Sequence, residues 1–131
     1  MRSAADPRGI SVVAEVVGKP KLDQYLRDAI QPGLAQAVNI ASEAGAAEAT
    51  EIIVSSGRVK TGRMRDSNYI EEATESGGVA VGAFANRAPY AIFQEFGTSR
   101  FSGIYFMQRA SKIAMKKLNE EINKLIKGAQ R

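Results

Sequence analysis

Residues 10–17 read ISVVAEVV, which puts Ile10, Val12, Ala14 and Val16 on one side of an extended chain. Period-two placement of β-branched residues predicts a first strand, closed by Gly18-Lys19-Pro20. From Leu22 the period changes. Leu22, Tyr25, Leu26, Ala29 and Ile30 recur at helical spacing, and Leu34, Val38, Ala41, Ile52 and Ile53 continue the stripe. Pro32-Gly33 interrupts it, because proline removes an i→i−4 hydrogen bond and clashes with the preceding turn. The segment reads as one kinked helix or as two helices joined there. Ala41, Ala44, Gly45 and Ala49 are small enough for a sheet or second helix to approach closely, and Ser55-Ser56-Gly57 ends the run.

A basic loop over residues 57–62 follows, then a predicted strand over 64–73 containing Tyr69 and Ile70. Glu75-Ser76-Gly77-Gly78 is a turn, and residues 79–84 alternate Val79, Val81 and Ala83 as a returning strand. After a connection at 86–88, Pro89 is placed as the first residue of a short helix carrying Tyr90, Phe93 and Phe96. Gly97 ends it and 99–105 is a loop. A last helix runs over 106–127, with Phe106, Ala110, Ile113, Leu118, Ile122 and Leu125 on its buried face. Gly128 stands as its C-cap, and Lys124 and Lys127 complement the helix dipole. The expected fold class is α+β: a small antiparallel sheet of about three strands, packed against a long N-terminal helix and a C-terminal amphipathic helix. One domain is expected over residues 1–131, with 1–9 disordered and 55–63 and 98–105 as mobile loops.

Composition narrows the function. The 44% apolar and 24% charged fractions are those of a soluble globular chain. No apolar run approaches the roughly 20 residues of a membrane span, and no secretory signal opens the chain. It is expected to be made and used in the cytoplasm, or in something assembled there. Cysteine, histidine and tryptophan are absent. That removes disulfides, thiol catalysis and Cys/His zinc sites, together with the commonest general base near neutral pH. No enzyme, metal or cofactor is expected.

Charge is zoned. Residues 1–57 carry five basic against seven acidic side chains, and 58–65 carry four basic and no acidic ones. Residues 66–98 hold five acids and only Arg87, while 99–131 hold eight basic residues against Glu120 and Glu121. The net charge of +4 thus hides alternating zones, which suit docking to another copy or to a charged neighbour.

Candidate chemistry is thin. Lys-Thr-Gly-Arg at 60–63 lacks the glycine spacing of a P-loop and enters a strand where that motif enters a helix. Asp66, Glu71, Glu72 and Glu75 read as an acidic exposed edge, since neighbours along a strand point to opposite faces and cannot converge on a metal. Glu95, among Tyr90, Phe93 and Phe96, is expected to be partly buried and paired with a cation such as Arg63 or Arg100. Arg58, Lys60, Arg63 and Arg65 are either a solvated loop or a contact for phosphate or an acidic protein surface. No aromatics interleave there to stack bases.

These residues also carry a resemblance. Val59-Lys60-Thr61-Gly62-Arg63-Met64-Arg65-Asp66-Ser67, the hairpin strand through Val81-Gly82, and Ala88-Pro89-Tyr90-Ala91 with Glu95-Phe96-Gly97-Thr98-Ser99-Arg100 resemble the tail-completion (minor neck, head–tail joining) family of long-tailed bacteriophages and prophages. The resemblance implies a non-enzymatic virion protein, assembled in the host cytoplasm. It would form a ring of copies, hexameric in the virion and often monomeric alone. Its partners would be the connector or stopper and the tail tube or tail terminator, with non-specific contact to DNA in the lumen and none to a membrane. Thr61, Gly62, Pro89, Tyr90, Glu95, Gly97, Thr98 and Arg100 would then hold loops and the short helix in place. One corner departs from the family, which commonly has proline–phenylalanine after the loop and a second proline before an alanine. Here those places read Tyr105-Phe106 and Arg109-Ala110. A small basic nucleic-acid-binding protein is the alternative reading.

Overall fold

Alternation in the first strand survives as burial. In β1 (Val12–Gly18), Val12, Ala14 and Val16 are buried on the helix-covered side, and only Glu15 and Val17 are exposed. The computed structural model of the chain describes residues 12–57, 62 and 64–130. Its other elements are α1 (Gln24–Ser55), a 3₁₀ turn (Arg65–Ser67), β2 (Asn68–Ser76), β3 (Val79–Asn86), α2 (Ala91–Phe96) and α3 (Phe106–Ala129). The three strands form an antiparallel sheet in the order β1-β3-β2, so β2 is an edge; of the acids expected to be exposed on it, Glu72 is, Glu71 and Glu75 are half-buried, and Asp66 lies in the 3₁₀ turn before it. The α+β architecture matches the sequence reading.

Pro32 does not divide the first helix. α1 runs unbroken through Pro32-Gly33, and Pro32 and Asp28 are both exposed, which leaves water to satisfy the Asp28 carbonyl that proline deprives of its donor. Asp23 begins the helix, its carboxylate accepting Leu26 N–H at 2.9 Å. Tyr25, read as part of the apolar stripe, is 74% exposed.

Small residues do on α1 what their size allows. A Cβ on Gly45 would collide with the Phe84 ring, so this glycine opens the slot in which the buried phenylalanine of the central strand sits. A Cβ on Gly33 would meet Leu125 of α3 at 2.6 Å. One core joins Leu34, Val38, Ile53, Phe84, Phe106, Met107 and Leu118.

Several boundaries move. The strand expected from residue 64 begins at Asn68. Before it the donors are used locally, with Asp66 N–H on Gly62 O at 2.9 Å and Ser67 N–H on Met64 O at 3.3 Å, which winds the chain into the 3₁₀ turn. β2 and β3 extend to a two-residue turn, Gly77-Gly78, whose φ of 61° and 81° are left-handed values that glycine adopts readily. A bulge lies between Glu71 and Thr74, opposite Gly82, and Asn39 of α1 takes the Ala73 N–H there at 2.7 Å. α2 begins at Ala91, because Pro89 and Tyr90 form a turn closed by Ala91 N–H on Ala88 O at 3.0 Å.

Two readings of α3 are corrected. Ile113 is 41% exposed: the buried row runs Phe106, Ala110, Ala114, Leu118, Ile122, and Ile113 stands about 100° away from Ala114. Gly128 is no C-cap either. The helix passes through it to Ala129, and Gln130 N–H closes the end on Ile126 O.

Candidate functional site

The segment from Asn86 to Arg109 is built from two buried polar clamps with an apolar surface outside them. Asn86, the last residue of β3, is fully buried. Its Nδ2 donates to Met64 O at 2.7 Å and to Asn68 Oδ1 at 2.9 Å, and its Oδ1 accepts Ala88 N–H at 3.0 Å. One side chain thereby ties the end of the Lys-Thr-Gly-Arg motif to the start of the Ala-Pro-Tyr-Ala motif. The sequence reading took this position for a connection and missed its role.

Glu95 is the second clamp. It is 1% exposed; Arg100 does not satisfy it as expected, and Arg63 lies outside the described residues. Its Oε1 accepts Met107 N–H at 2.7 Å and its Oε2 accepts Gln108 N–H at 3.0 Å. These are the second and third residues of α3, whose N–H groups have no partner within the helix. The residue in the N-cap place is Tyr105, whose side chain cannot accept them, so a carboxylate eleven residues upstream of the helix does the work of a cap. Burial pushes the Glu95 carboxyl above its ordinary range, and the two backbone bonds pull it partly back.

The intervening loop is fastened to α2. Ile104 N–H donates to Gln94 O at 2.8 Å, Tyr105 N–H to Glu95 O at 3.1 Å and Thr98 N–H to Phe101 O at 2.9 Å. Gly97 has φ 83°, and a Cβ on Gly97 or Gly103 would strike the opposite backbone. The close approach requires both glycines. Thr98 Oγ1 accepts Arg100 N–H at 3.1 Å. The segment expected as a mobile loop is thus bonded at both ends.

With Ala91 and Glu95 turned inward, the other side chains of α2 turn outward. Tyr90, Ile92, Phe93 and Phe96 are 37–52% exposed, joined by Phe101 and Tyr105 from the loop. Phe96 and Tyr105 meet edge to face at 6.5 Å. With Arg100 and Phe101 they line a depression of about 520 Å³. The sequence reading put the aromatics around Glu95; Ala91, four residues before it, was the sign that Glu95 faces the core and the aromatics do not.

Of the other residues singled out, Arg58, Lys60, Thr61 and Arg63 lie outside the described residues. Gly62 has φ 77° and packs under the Arg65 guanidinium. Arg65 Nε pairs with Asp66 Oδ1 at 2.9 Å; this bond raises the arginine pKa and lowers that of the aspartate. Arg65 is therefore balanced by its own neighbour. Pro89 and Arg100 are exposed, and Arg100 has no carboxylate partner among the described residues.

Residues 20–97, more than half of the chain, match the family model described as "Bacteriophage HK97-gp10, putative tail-component". The chain belongs to this bacteriophage tail-component family. The family match takes in both motifs, the Asn86 clamp and all of α2, and stops at Gly97. Thr98, Arg100, the loop and α3 lie beyond it. So does Tyr105, where the resemblance led to the expectation of a proline. Its φ of 51° is a left-handed conformation that a proline ring, fixed near −65°, cannot take. No curated protein and no solved structure matches the chain. No described helix is long and apolar enough to cross a membrane.

Proposed function

We propose that this tail component acts in the phage neck, completing the tail and joining it to the head. It does so as a ring of copies, without making or breaking covalent bonds. The carrying observation is the exposed apolar surface of Tyr90, Ile92, Phe93, Phe96, Phe101 and Tyr105, held on a backbone fastened by Glu95. Apolar side chains grouped this way mark an interaction site, and here the backbone beneath them is fastened by hydrogen bonds. The connector or stopper on one side and the tail tube or terminator on the other are the partners this reading requires.

The test is assembly of the phage with Phe93→Ser and Phe96→Ser combined. Heads and tails that accumulate separately support the reading; a normal yield of joined particles from a folded variant overturns it. A second reading has one observation in its favour. Arg109, Lys112 and Lys116 form an exposed basic row on α3 with no carboxylate partner among the described residues, as a DNA-backbone contact would need. It requires duplex affinity that falls steeply with salt, and a gel shift at physiological salt decides it.

A further inference from the structure

Long stretches of the chain carry exposed charge of one sign, although α1 also holds Arg27 near its start and α3 also holds Glu120 and Glu121. Between Asp28 and Gly57 the chain has four acids (Asp28, Glu43, Glu48, Glu51) and no lysine or arginine. Between Arg87 and Asn119 it has Arg87, Arg100, Arg109, Lys112, Lys116 and Lys117, and the one acid, Glu95, is buried. Helical spacing turns this into two stripes. On α1, Glu43, Ala47, Glu51 and Val54 are all exposed and share one line. On α3, Arg109, Lys112 and Lys116 do the same. The two helices pack through their inner faces, where Gly33 receives Leu125, so the stripes point away from one another. Among the described residues no ion pair joins α1 to α3.

The basic stripe is continuous with the aromatic surface. Arg109 N–H donates to Tyr105 O at 2.9 Å and its guanidinium to Ile104 O at 3.3 Å, so the stripe begins where the Phe96–Tyr105 pair ends. One side of the molecule is therefore apolar and basic, and the outer line of α1 is acidic, with Ala47 between its two charges and Val54 beyond them. At about 1.5 Å per residue, Arg109 to Lys116 spans about 10 Å and Glu43 to Glu51 about 12 Å. The two rows are opposite in sign and similar in length.

We propose that the aromatic-and-basic face of one copy, centred on Tyr105, Arg109, Lys112 and Lys116, docks on the α1 stripe Glu43–Ala47–Glu51–Val54 of the next copy. The proposal rests on the ring reading above and names its subunit contact. Each copy offers both faces, and they are different surfaces. Such a contact is heterologous and repeats from copy to copy until rotation closes it. Opposite potentials steer the faces together and disfavour meeting of like faces.

The chain has no cysteine, so introduced pairs report cleanly. Particles assembled with a Glu51→Cys, Lys112→Cys double variant are oxidised and run on a non-reducing gel, beside a Glu43→Cys, Lys116→Cys variant. A ladder of dimers and higher multiples from either pair, and monomers from each single variant, is the expected result. Monomers alone from both pairs, in particles that contain the protein, overturn this contact and leave the neck reading standing. An adduct with a different virion protein also overturns it, by naming another occupant. Wild-type particles that lack the protein overturn the neck reading itself. Charge exchange gives an independent measure: Glu43→Lys with Glu51→Lys, or Arg109→Glu with Lys116→Glu, lowers yield of joined particles by about tenfold or more. Combining all four restores it, and failure to restore overturns the pairing.

Discussion

Glu95 holds Met107. A carboxylate on a six-residue helix accepts the backbone N–H of a residue in a different helix at 2.7 Å, and Gln108 N–H at 3.0 Å completes the pair. The hydrogen bonds orient α3 relative to α2 and set the aromatic side chains outward. Replacing Glu95 with alanine strands one buried and one half-buried donor, and is expected to cost about 2 kcal/mol, seen as a lower midpoint in urea with unchanged slope. Arginine at position 100 is not its partner, so Arg100→Ala should leave the midpoint where it is.

The same group gives a pH dependence of definite sign. In the folded chain the Glu95 carboxyl lies above its ordinary value of 4.5, burial being the larger cause. Below that value both states hold the proton. As pH rises, the unfolded chain loses the proton first, so stability from this group is full in acid and lost as pH climbs through the folded pKa. Urea unfolding between pH 4 and pH 7 should show this downward slope, and Glu95→Gln should lack it. A slope unchanged in the variant assigns it to other groups.

Much of this was legible in advance, and the gaps have physical causes. Strong periods survive folding, so the alternation of β1 and the small residues facing the sheet on α1 were readable. Buried polar clamps have no period. Asn86 and Glu95 act through partners 22 and 12 residues away, Met64 and Met107, and spacing along a chain cannot reveal such bonds. Ile113 failed for another reason: apolar character alone placed it inward, while the phase of Ala110 and Ala114 placed it outward.

Asn86 offers a sharper test of the joint between motifs. Asn86→Ala leaves Met64 O and Ala88 N–H without partners inside the protein, a loss of about 2–4 kcal/mol. Asn86→Asp keeps an acceptor for Ala88 N–H but turns an oxygen toward Met64 O, and should be as damaging at neutral pH. Equal stability of the wild type and the Asn86→Asp variant, by thermal melting, would contradict the assigned amide orientation.

Packing of the sheet on α1 is tested at Gly45. Alanine favours helix, and at an exposed helical position Gly→Ala stabilises by about 1 kcal/mol. Here the added methyl collides with the Phe84 ring. Overpacking of this kind costs about 1–3 kcal/mol. Gly45→Ala should therefore lower the melting temperature, and a rise would mean that Phe84 has room to move.

At Tyr105 the backbone conformation and the proline that the resemblance implied are incompatible. A bulky residue at φ 51° is strained by roughly 1–2 kcal/mol. Here it is held by its N–H on Glu95 O and by the edge contact with Phe96. Asn tolerates this conformation, so Tyr105→Asn relieves strain while losing the ring contact, and should come out within about 1 kcal/mol of wild type. Tyr105→Pro installs a residue whose fixed φ and missing N–H are both incompatible with the observed backbone. It should destabilise by about 3 kcal/mol or more and loosen the start of α3, read as faster amide exchange at Met107 and Gln108. A proline variant as stable as wild type would show that this corner adopts a different backbone, and the Glu95 clamp would have to be redrawn.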